Sequence, residues 1–151
     1  MKLRQLYTEF IRLYLSKTGE RIVEIVTKKE DRPYRWFTDG TSVWIIPKDN
    51  PFDVDSTPNE WVESKMKEGV DVAKITRSPY PEDKNIIKLE AEDKDLYMYI
   101  NEAKLKWYDK DHELKILESD RGLYGRVCQV YENDEIRGVI LGLRVREGKE
   151  F

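Results

Sequence analysis

Residues 127–145 read VCQVYENDEIRGVILGLRV, and this stretch decides how the chain is expected to fold. Two apolar segments flank Glu132-Asn133-Asp134-Glu135, where Asn and Asp favour a turn because they tolerate left-handed backbone angles. In the second segment, alternate residues from Val139 to Val145 are apolar and share one face, which is the period of a β-strand. The stretch therefore predicts a β-hairpin with one apolar face that closes a domain.

The N-terminal residues predict an amphipathic helix over residues 3–17. Apolar side chains recur there at helical spacing, and Gly19 is placed to end the helix. Ile11 and Leu15 are expected to widen the apolar face. Such a helix is expected to cover a sheet.

A second hairpin is predicted between Pro33 and Pro47. Its turn is Asp39-Gly40, because Gly accepts the positive φ of a two-residue turn. Centring the hairpin on this turn pairs Trp36 with Val43 and Tyr34 with Ile45 across one face.

The remaining segments predict short elements. A helix is expected to begin near Pro58 and to run toward Gly69, and Ser78-Pro79-Tyr80-Pro81 is expected to interrupt a strand. Residues 101–108 fit either a strand or a short helix capped by Asn101. Further strands are expected in residues 21–28, 70–76, 86–89, 96–100 and 114–117. Together these patterns predict an α+β fold: one domain, residues 1–151, with a mainly antiparallel, curved sheet covered by the N-terminal helix and one or two short helices.

The composition limits the classes of partner. The net charge of −3 and the pI near 5.4 give no general attraction to nucleic acid, so any such binding needs a local basic surface. The single cysteine, Cys128, forms no internal disulfide and fits a reducing cytoplasm. The sequence has no apolar run long enough to span a bilayer, which predicts a soluble protein without a membrane partner.

No pattern of residues indicates a catalytic, cofactor or metal site. The one histidine, His112, lies in a polar stretch that is typical of a solvated turn, and Cys128 lies in an apolar strand where a thiol is inert. One Cys and one His cannot form a zinc site. Asp53 and Asp55 have the spacing for magnesium, but acids in a proline-rich loop are more typical of turns. We therefore expect a non-enzymatic protein without a cofactor.

One enzymatic alternative stays open, a metal-dependent nuclease. Such enzymes place an Asp on one strand and Glu-x-Lys on the next, so that the acids hold a metal and the lysine steers the attacking water. Asp95, Glu113 and Lys115 fit this order.

A basic face is predicted on the N-terminal helix. Lys2, Arg4, Arg12 and Lys17 are interrupted only by Glu9, so these four residues are the candidates for facing DNA.

Residues 130–145 resemble the closing segment of bacterial DNA polymerase sliding clamps and of short clamp-like proteins of phages and mobile elements. In that family an apolar strand and an acidic turn precede a Gly-Val-Ile-Leu-Pro-x-Arg-like strand, matched by the residues from Gly138 to Val145. Thr38-Asp39-Gly40 is similar to a turn between two clamp strands. Residues 99–107 look like the start of the helix in the second half of a clamp domain.

The resemblance implies a non-enzymatic, clamp-like DNA replication accessory or protein-binding domain. The implied partners are a DNA polymerase or another replication protein, and DNA through the local basic helix. A clamp ring needs six such domains, so a homo-oligomer is also implied. A small regulatory protein of a phage or mobile element that acts by protein–protein interaction is the alternative that size and charge leave open.

Overall fold

The structure is a computed structural model that describes residues 1–15, 24–26, 34–52, 60–66, 75–92, 95–118 and 125–143. Its first element, α1, spans Leu3–Tyr14 and buries Leu6, Phe10 and Leu13, which are spaced by one helical turn. The predicted N-terminal helix is therefore confirmed, although it ends at Tyr14 rather than at residue 17.

The outer side of α1 differs from the expectation. Ile11 and Leu15 are 48% and 68% exposed, so they do not widen the buried face. They lie on the side of the helix that points away from Leu6 and Phe10, where the sheet cannot reach them.

Nine strands lie in the described residues, and every pair of neighbouring strands is antiparallel. Six of them form one sheet in the order β1-β2-β3-β9-β8-β7, and three form a second sheet in the order β4-β5-β6. The bounds are β1 Glu24–Val26, β2 Arg35–Thr38, β3 Ser42–Ile46, β4 Ile75–Tyr80, β5 Asp83–Ala91, β6 Tyr97–Asn101, β7 Glu113–Leu117, β8 Val127–Glu132 and β9 Glu135–Leu141.

The C-terminal hairpin is formed by β8 and β9, as predicted, but it lies in the middle of the six-stranded sheet. On its outer side β9 pairs with β3, where Val139 faces Val43. Both faces of the hairpin are also buried, because a separate hydrophobic cluster covers each one, and the prediction of a single apolar face is wrong. Val127 and Val139 join one hydrophobic cluster, whereas Cys128 and Ile140 join the other.

The turn of this hairpin is confirmed in detail. Asn133 and Asp134 both have positive φ, 51° and 64°, which defines a two-residue turn of the type that matches strand twist.

This geometry predicts the order of stability at position 134. Asp134→Gly is expected to raise the free energy of unfolding by up to about 1 kcal/mol, because glycine adopts positive φ without strain. Asp134→Ala is expected to lower it by about 1 kcal/mol, because a Cβ that lacks a local hydrogen-bonding group is least tolerated there. Urea unfolding of the three proteins measures both, and an alanine variant as stable as the glycine variant would contradict the assignment.

The β2–β3 hairpin has the predicted faces but a different register. Trp36 pairs with Ile45 and Thr38 with Val43, so the loop has four residues instead of two. The Thr38 hydroxyl donates to the Ser42 carbonyl and accepts from the Gly40 N–H, which closes the longer loop around the positive φ of Gly40. The turn propensity of Asp-Gly predicts a two-residue loop, because it takes no account of the hydrogen bonds that the Thr38 side chain makes.

The three-stranded sheet corrects the prediction that residues 78–81 interrupt a strand. Pro79 lies within β4, which is the edge strand of its sheet, and the register shifts between Pro79 and Tyr80. An edge strand with a bulge tolerates proline because the missing N–H has no ladder partner to lose.

The short helices complete an α+β fold, as predicted. The helix α2 spans Glu60–Ser64, and Val62 and Met66 pack with Trp36 on one face of the six-stranded sheet. Residues 102–105 form a 3₁₀ helix whose first turn is capped by Asn101, so the helical alternative for this segment is confirmed. Within the described ranges, no helix has the length and apolar character that crossing a membrane would require.

The strand order of the six-stranded sheet is symmetric about its central β3–β9 pair. The N-terminal half contributes α1 followed by the meander β1-β2-β3, and the C-terminal half contributes the 3₁₀ helix followed by the meander β7-β8-β9. An antiparallel pair at the centre relates the two meanders by an approximate twofold rotation. The helices that precede the two meanders both line one cavity. They therefore lie near one another.

Candidate functional site

The 3₁₀ helix Glu102–Leu105 lies between two cavities, which together we call the 3₁₀ groove. Ala103 and Lys106 line both cavities. The Asn101 side chain fixes the start of this helix by accepting a hydrogen bond of 3.0 Å from the Ala103 N–H. The backbone of the short helix therefore begins at a defined place between the cavities.

The first cavity, the α1 cavity, has a volume of about 430 Å³ and lies between α1, the β2–β3 turn and the 3₁₀ helix. Three segments that are distant in sequence meet here. The lining residues are Glu9, Arg12, Leu13, Asp39, Thr41, Trp44, Asn101, Ala103, Lys104, Lys106 and Trp107.

Two ion pairs neutralise the carboxylates of the α1 cavity. Arg12 donates to both oxygens of Glu9, at 2.6 and 3.1 Å, and the Lys104 ammonium lies 2.6 Å from Asp39 Oδ2. The hydrogen bonds from Arg12 lower the pKa of Glu9. Burial works against ionisation of Asp39, but bonds from Lys104, Thr41 and Ser42 outweigh it, so the pKa of Asp39 is also lowered. Both carboxylates therefore stay ionised, and each already has a cation as its partner.

Two tryptophans form an aromatic wall of the α1 cavity. The Trp44 and Trp107 rings meet edge to face, with centroids 5.5 Å apart, and Lys106 Nζ lies 4.4 Å from the Trp107 centroid. The Trp44 side chain is 1% exposed, and its indole N–H has no acceptor in the part of the chain that the structure describes. A buried donor without an acceptor is uncommon in folded proteins.

The second cavity, the β5 cavity, has a volume of about 480 Å³ and is the more basic of the two. Arg77, Lys84 and Lys106 line it together with the single carboxylate of Glu102. Its other lining residues are Asn85, Ala103, Leu105 and His112.

His112 orients Arg77 at the rim of the β5 cavity. His112 Nδ1 lies 2.6 Å from the carbonyl oxygen of Asp109, so this nitrogen carries the proton. His112 Nε2 then accepts from Arg77 Nη2, at 3.1 Å. The histidine that the sequence placed in a solvated turn is half-buried and positions a neighbouring cation.

The predicted DNA-facing residues are only partly brought together. Lys2, Arg4 and Arg12 are exposed, but of the three only Arg12 lines the groove, and Lys17 lies outside the described residues. Sequence reasoning missed Arg77, Lys84, Lys104 and Lys106. The signal that could have found two of them is the alternation of lysine with apolar residues in Lys104-Leu105-Lys106-Trp107.

The nuclease residues do not form the expected arrangement. Asp95 precedes β6 in the three-stranded sheet, whereas Glu113 and Lys115 lie on β7 at the edge of the other sheet. Lys115 Nζ is instead 4.5 Å from the centroid of the Tyr131 ring. The described ranges contain no group of three side chains able to hold a metal ion.

Two further predictions from the sequence concern the thiol of Cys128 and the carboxylates of Asp53 and Asp55. Cys128 is fully buried, and desolvation raises the pKa of its thiol to about 12, as expected for an inert cysteine. Asp53 and Asp55 lie outside the described residues.

Comparison with known proteins gave no relative: no protein-family model matches the chain, and neither curated proteins nor solved structures are similar to it.

Proposed function

We propose that this protein is a non-enzymatic, clamp-like DNA replication accessory domain of the cytoplasm, and that it contacts DNA phosphates through the 3₁₀ groove. The observation that carries the proposal is the local charge. Five cations line the two cavities against three carboxylates, in a chain whose net charge is −3. Because Glu9 and Asp39 are already paired, the cations of the β5 cavity are opposed only by Glu102.

The convergence of these cations from different elements suits a polyanion. Arg77, Lys84 and Lys106 come from β4, β5 and the end of the 3₁₀ helix, so three elements present positive charge to one cavity. Arg77 is held in place by His112, which lowers the entropy lost when its guanidinium binds a phosphate oxygen. Phosphate contacts of this kind supply affinity without reading sequence.

The arrangement of the two halves supports the clamp-like part of the proposal. Sliding clamps are expected to place equivalent helices on one face of a sheet. Here α1 and the 3₁₀ helix precede equivalent meanders and border the same α1 cavity. A domain of this kind acts either singly or as an assembly of several copies, which a mass measurement in solution distinguishes.

A specific observation favours protein binding as a second candidate function. The large hydrophobic side chains that are exposed in the described part of the chain, Ile11, Tyr14 and Leu15, all lie on the last turns of α1. Such a stripe is typical of a helix that packs into a partner's groove. If the protein binds no DNA, this candidate replaces the first, with a replication protein as the partner class.

The double substitution Arg77→Ala/Lys84→Ala tests the DNA proposal. Fluorescence anisotropy with a labelled duplex of about 20 base pairs, at about 50 mM salt, is expected to show binding by the native chain and roughly tenfold weaker binding by the variant. The slope of log affinity against log salt is expected to fall by about 2, because two phosphate contacts are lost.

Lys110→Ala is the matched control, since Lys110 is exposed but lies outside both cavities. This variant is expected to bind like the native chain. Absence of binding at low salt, or equal loss of affinity in the control, would contradict the proposal.

A further inference from the structure

His112 is the only histidine of the chain, and it lines the β5 cavity. Two of its nitrogens bond to one acceptor: the Asp109 carbonyl oxygen lies 3.1 Å from the His112 backbone nitrogen and 2.6 Å from Nδ1. Because Nδ1 already uses its proton for this carbonyl, a second proton can be taken up only at Nε2. The β5 cavity therefore contains a nitrogen that can gain a proton and a positive charge.

The Nε2 atom of His112 lies 3.1 Å from Arg77 Nη2, where phosphate is proposed to bind. In this geometry the lone pair of Nε2 accepts from the guanidinium, so Nε2 carries no proton. A phosphate oxygen that takes over this guanidinium N–H replaces Nε2 as its acceptor. The oxygen and the lone pair then face one another, which is unfavourable until a proton lies between them. A proton on Nε2 removes the conflict and adds a charge-assisted hydrogen bond to the phosphate.

The groups around His112 leave it as the one that changes charge near neutral pH. Desolvation raises the pKa of Tyr108, whose ring lies 6.1 Å away, well above its ordinary value. The hydrogen bond from the Met1 ammonium lowers the pKa of Asp109. Of the side-chain types present, histidine is the one whose ordinary charge change falls between pH 5 and 8. In the described part of the chain, the charged and titratable neighbours are Arg77 of β4, Lys84 of β5, Glu102 and Lys106 beside the 3₁₀ helix, and Tyr108, Asp109, Asp111 and Glu113 next to His112 in sequence.

We infer that His112 is a proton-dependent phosphate ligand of the 3₁₀ groove. DNA binding is coupled to uptake of a proton from solvent at Nε2, and the imidazolium and Arg77 then hold the same phosphodiester. This inference rests on the proposed function and adds a residue to its site. Because binding and protonation favour one another, affinity must rise as the pH falls. A role of His112 in positioning Arg77 alone gives the opposite sign, since protonation would end the bond between them.

Proton uptake can be measured directly on the native chain. Calorimetric titration with a duplex of about 20 base pairs, near pH 7 and about 50 mM salt, is carried out in two buffers of different ionisation enthalpy. Phosphodiesters keep their charge at this pH, so any proton taken up belongs to the protein. We expect roughly half a proton or more per complex for the native chain and close to none for His112→Gln. The amide oxygen of Gln accepts from Arg77 but takes up no proton.

The pH dependence of affinity supplies an independent measurement. At constant ionic strength, the affinity of the native chain is expected to rise roughly threefold to tenfold from about pH 8 to about pH 6, and that of His112→Gln to stay nearly constant. Arg77→Ala is expected to bind more weakly but to keep the rise, because His112 contacts the phosphate itself. Lys110→Ala is the matched control, and its affinity should follow that of the native chain. Urea unfolding at pH 7 checks that the variants are folded.

The outcomes separate this inference from the proposed function. Duplex binding by the native chain without proton uptake, or with an affinity that falls as the pH falls, would overturn the role of His112 and leave phosphate binding by the groove intact. A pH dependence that disappears in Arg77→Ala would do the same. Absence of duplex binding at every pH would remove both proposals. Proton uptake that is lost in His112→Gln and kept in Arg77→Ala establishes the ligand.

Discussion

Gly138→Ala is expected to destabilise the protein by about 3 kcal/mol or more. A Cβ at position 138 would lie 1.8 Å from the hydroxyl oxygen of Tyr108 and 2.7 Å from the backbone carbonyl oxygen of Val43. Both neighbours are fixed: Tyr108 is buried, and Val43 lies on β3, which pairs with β9 through this very region. The glycine is required because β3 and Tyr108 approach it closely.

Gly142→Ala is the matched control for this substitution. Its Cβ would meet the Arg126 carbonyl oxygen and the flexible end of Met98, both at 3.3 Å, so a shift of a few tenths of an ångström accommodates it. We expect its midpoint in urea to lie much closer to the native value. Tyr108→Phe combined with Gly138→Ala is expected to recover only part of the loss, because the Val43 carbonyl remains. Equal midpoints for the two alanine variants would contradict the argument.

Asp39→Ala is expected to lower the free energy of unfolding by about 2 kcal/mol. Asp39 Oδ1 accepts hydrogen bonds from the Thr41 N–H, the Thr41 hydroxyl and the Ser42 N–H, and Oδ2 pairs with Lys104 at 2.6 Å. The side chain is 12% exposed, so solvent replaces these bonds poorly. The substitution removes the anchor of the β2–β3 turn and one wall of the α1 cavity together.

The effect of Asp39→Ala is also expected to depend on pH. The pKa of Asp39 is lowered in the folded protein, so its carboxylate stabilises the fold fully above the pKa of an unfolded Asp, near 4. This contribution is lost as the pH falls through the lowered pKa of the folded state. The difference in unfolding free energy between the native chain and the variant should therefore be constant from about pH 7 to pH 5 and should shrink below about pH 4.

Thr41→Val is the control for the pH dependence, because it removes one hydrogen bond to Asp39 without removing a titratable group. Its effect on stability should be small and should change little with pH. A difference for Asp39→Ala that persists undiminished under acid would show that the lowered pKa of Asp39 does not contribute to stability.

Local pattern in the sequence was sufficient for several elements of the fold. Alternation predicts β8 and β9, and the tolerance of Asn133 and Asp134 for positive φ predicts the turn between them. Helical spacing predicts α1, and the capping preference of Asn101 allows the 3₁₀ helix. Each of these features depends on residues a few positions apart, which is the range over which backbone and side-chain preferences act.

Only part of the candidate site could be predicted from the sequence. Arg12 was predicted to be a basic residue of α1, but its place in the groove depends on where the 3₁₀ helix packs. Glu132 shows the same limit, since it was expected in the turn and instead ends β8. The structure buries it to 5% exposure, where its carboxylate accepts a 2.7 Å bond from the Asp109 N–H.

The sequence by itself determined that this chain is an α+β protein closed by a tight C-terminal hairpin, because periodicity and turn chemistry are local. Only the tertiary structure decided that β9 lies between β3 and β8, that both faces of the hairpin are buried, and that Asp39 and Lys104 form an ion pair across 65 positions. These features depend on which apolar faces pack together after distant segments meet. The groove around the 3₁₀ helix exists only after that packing is complete.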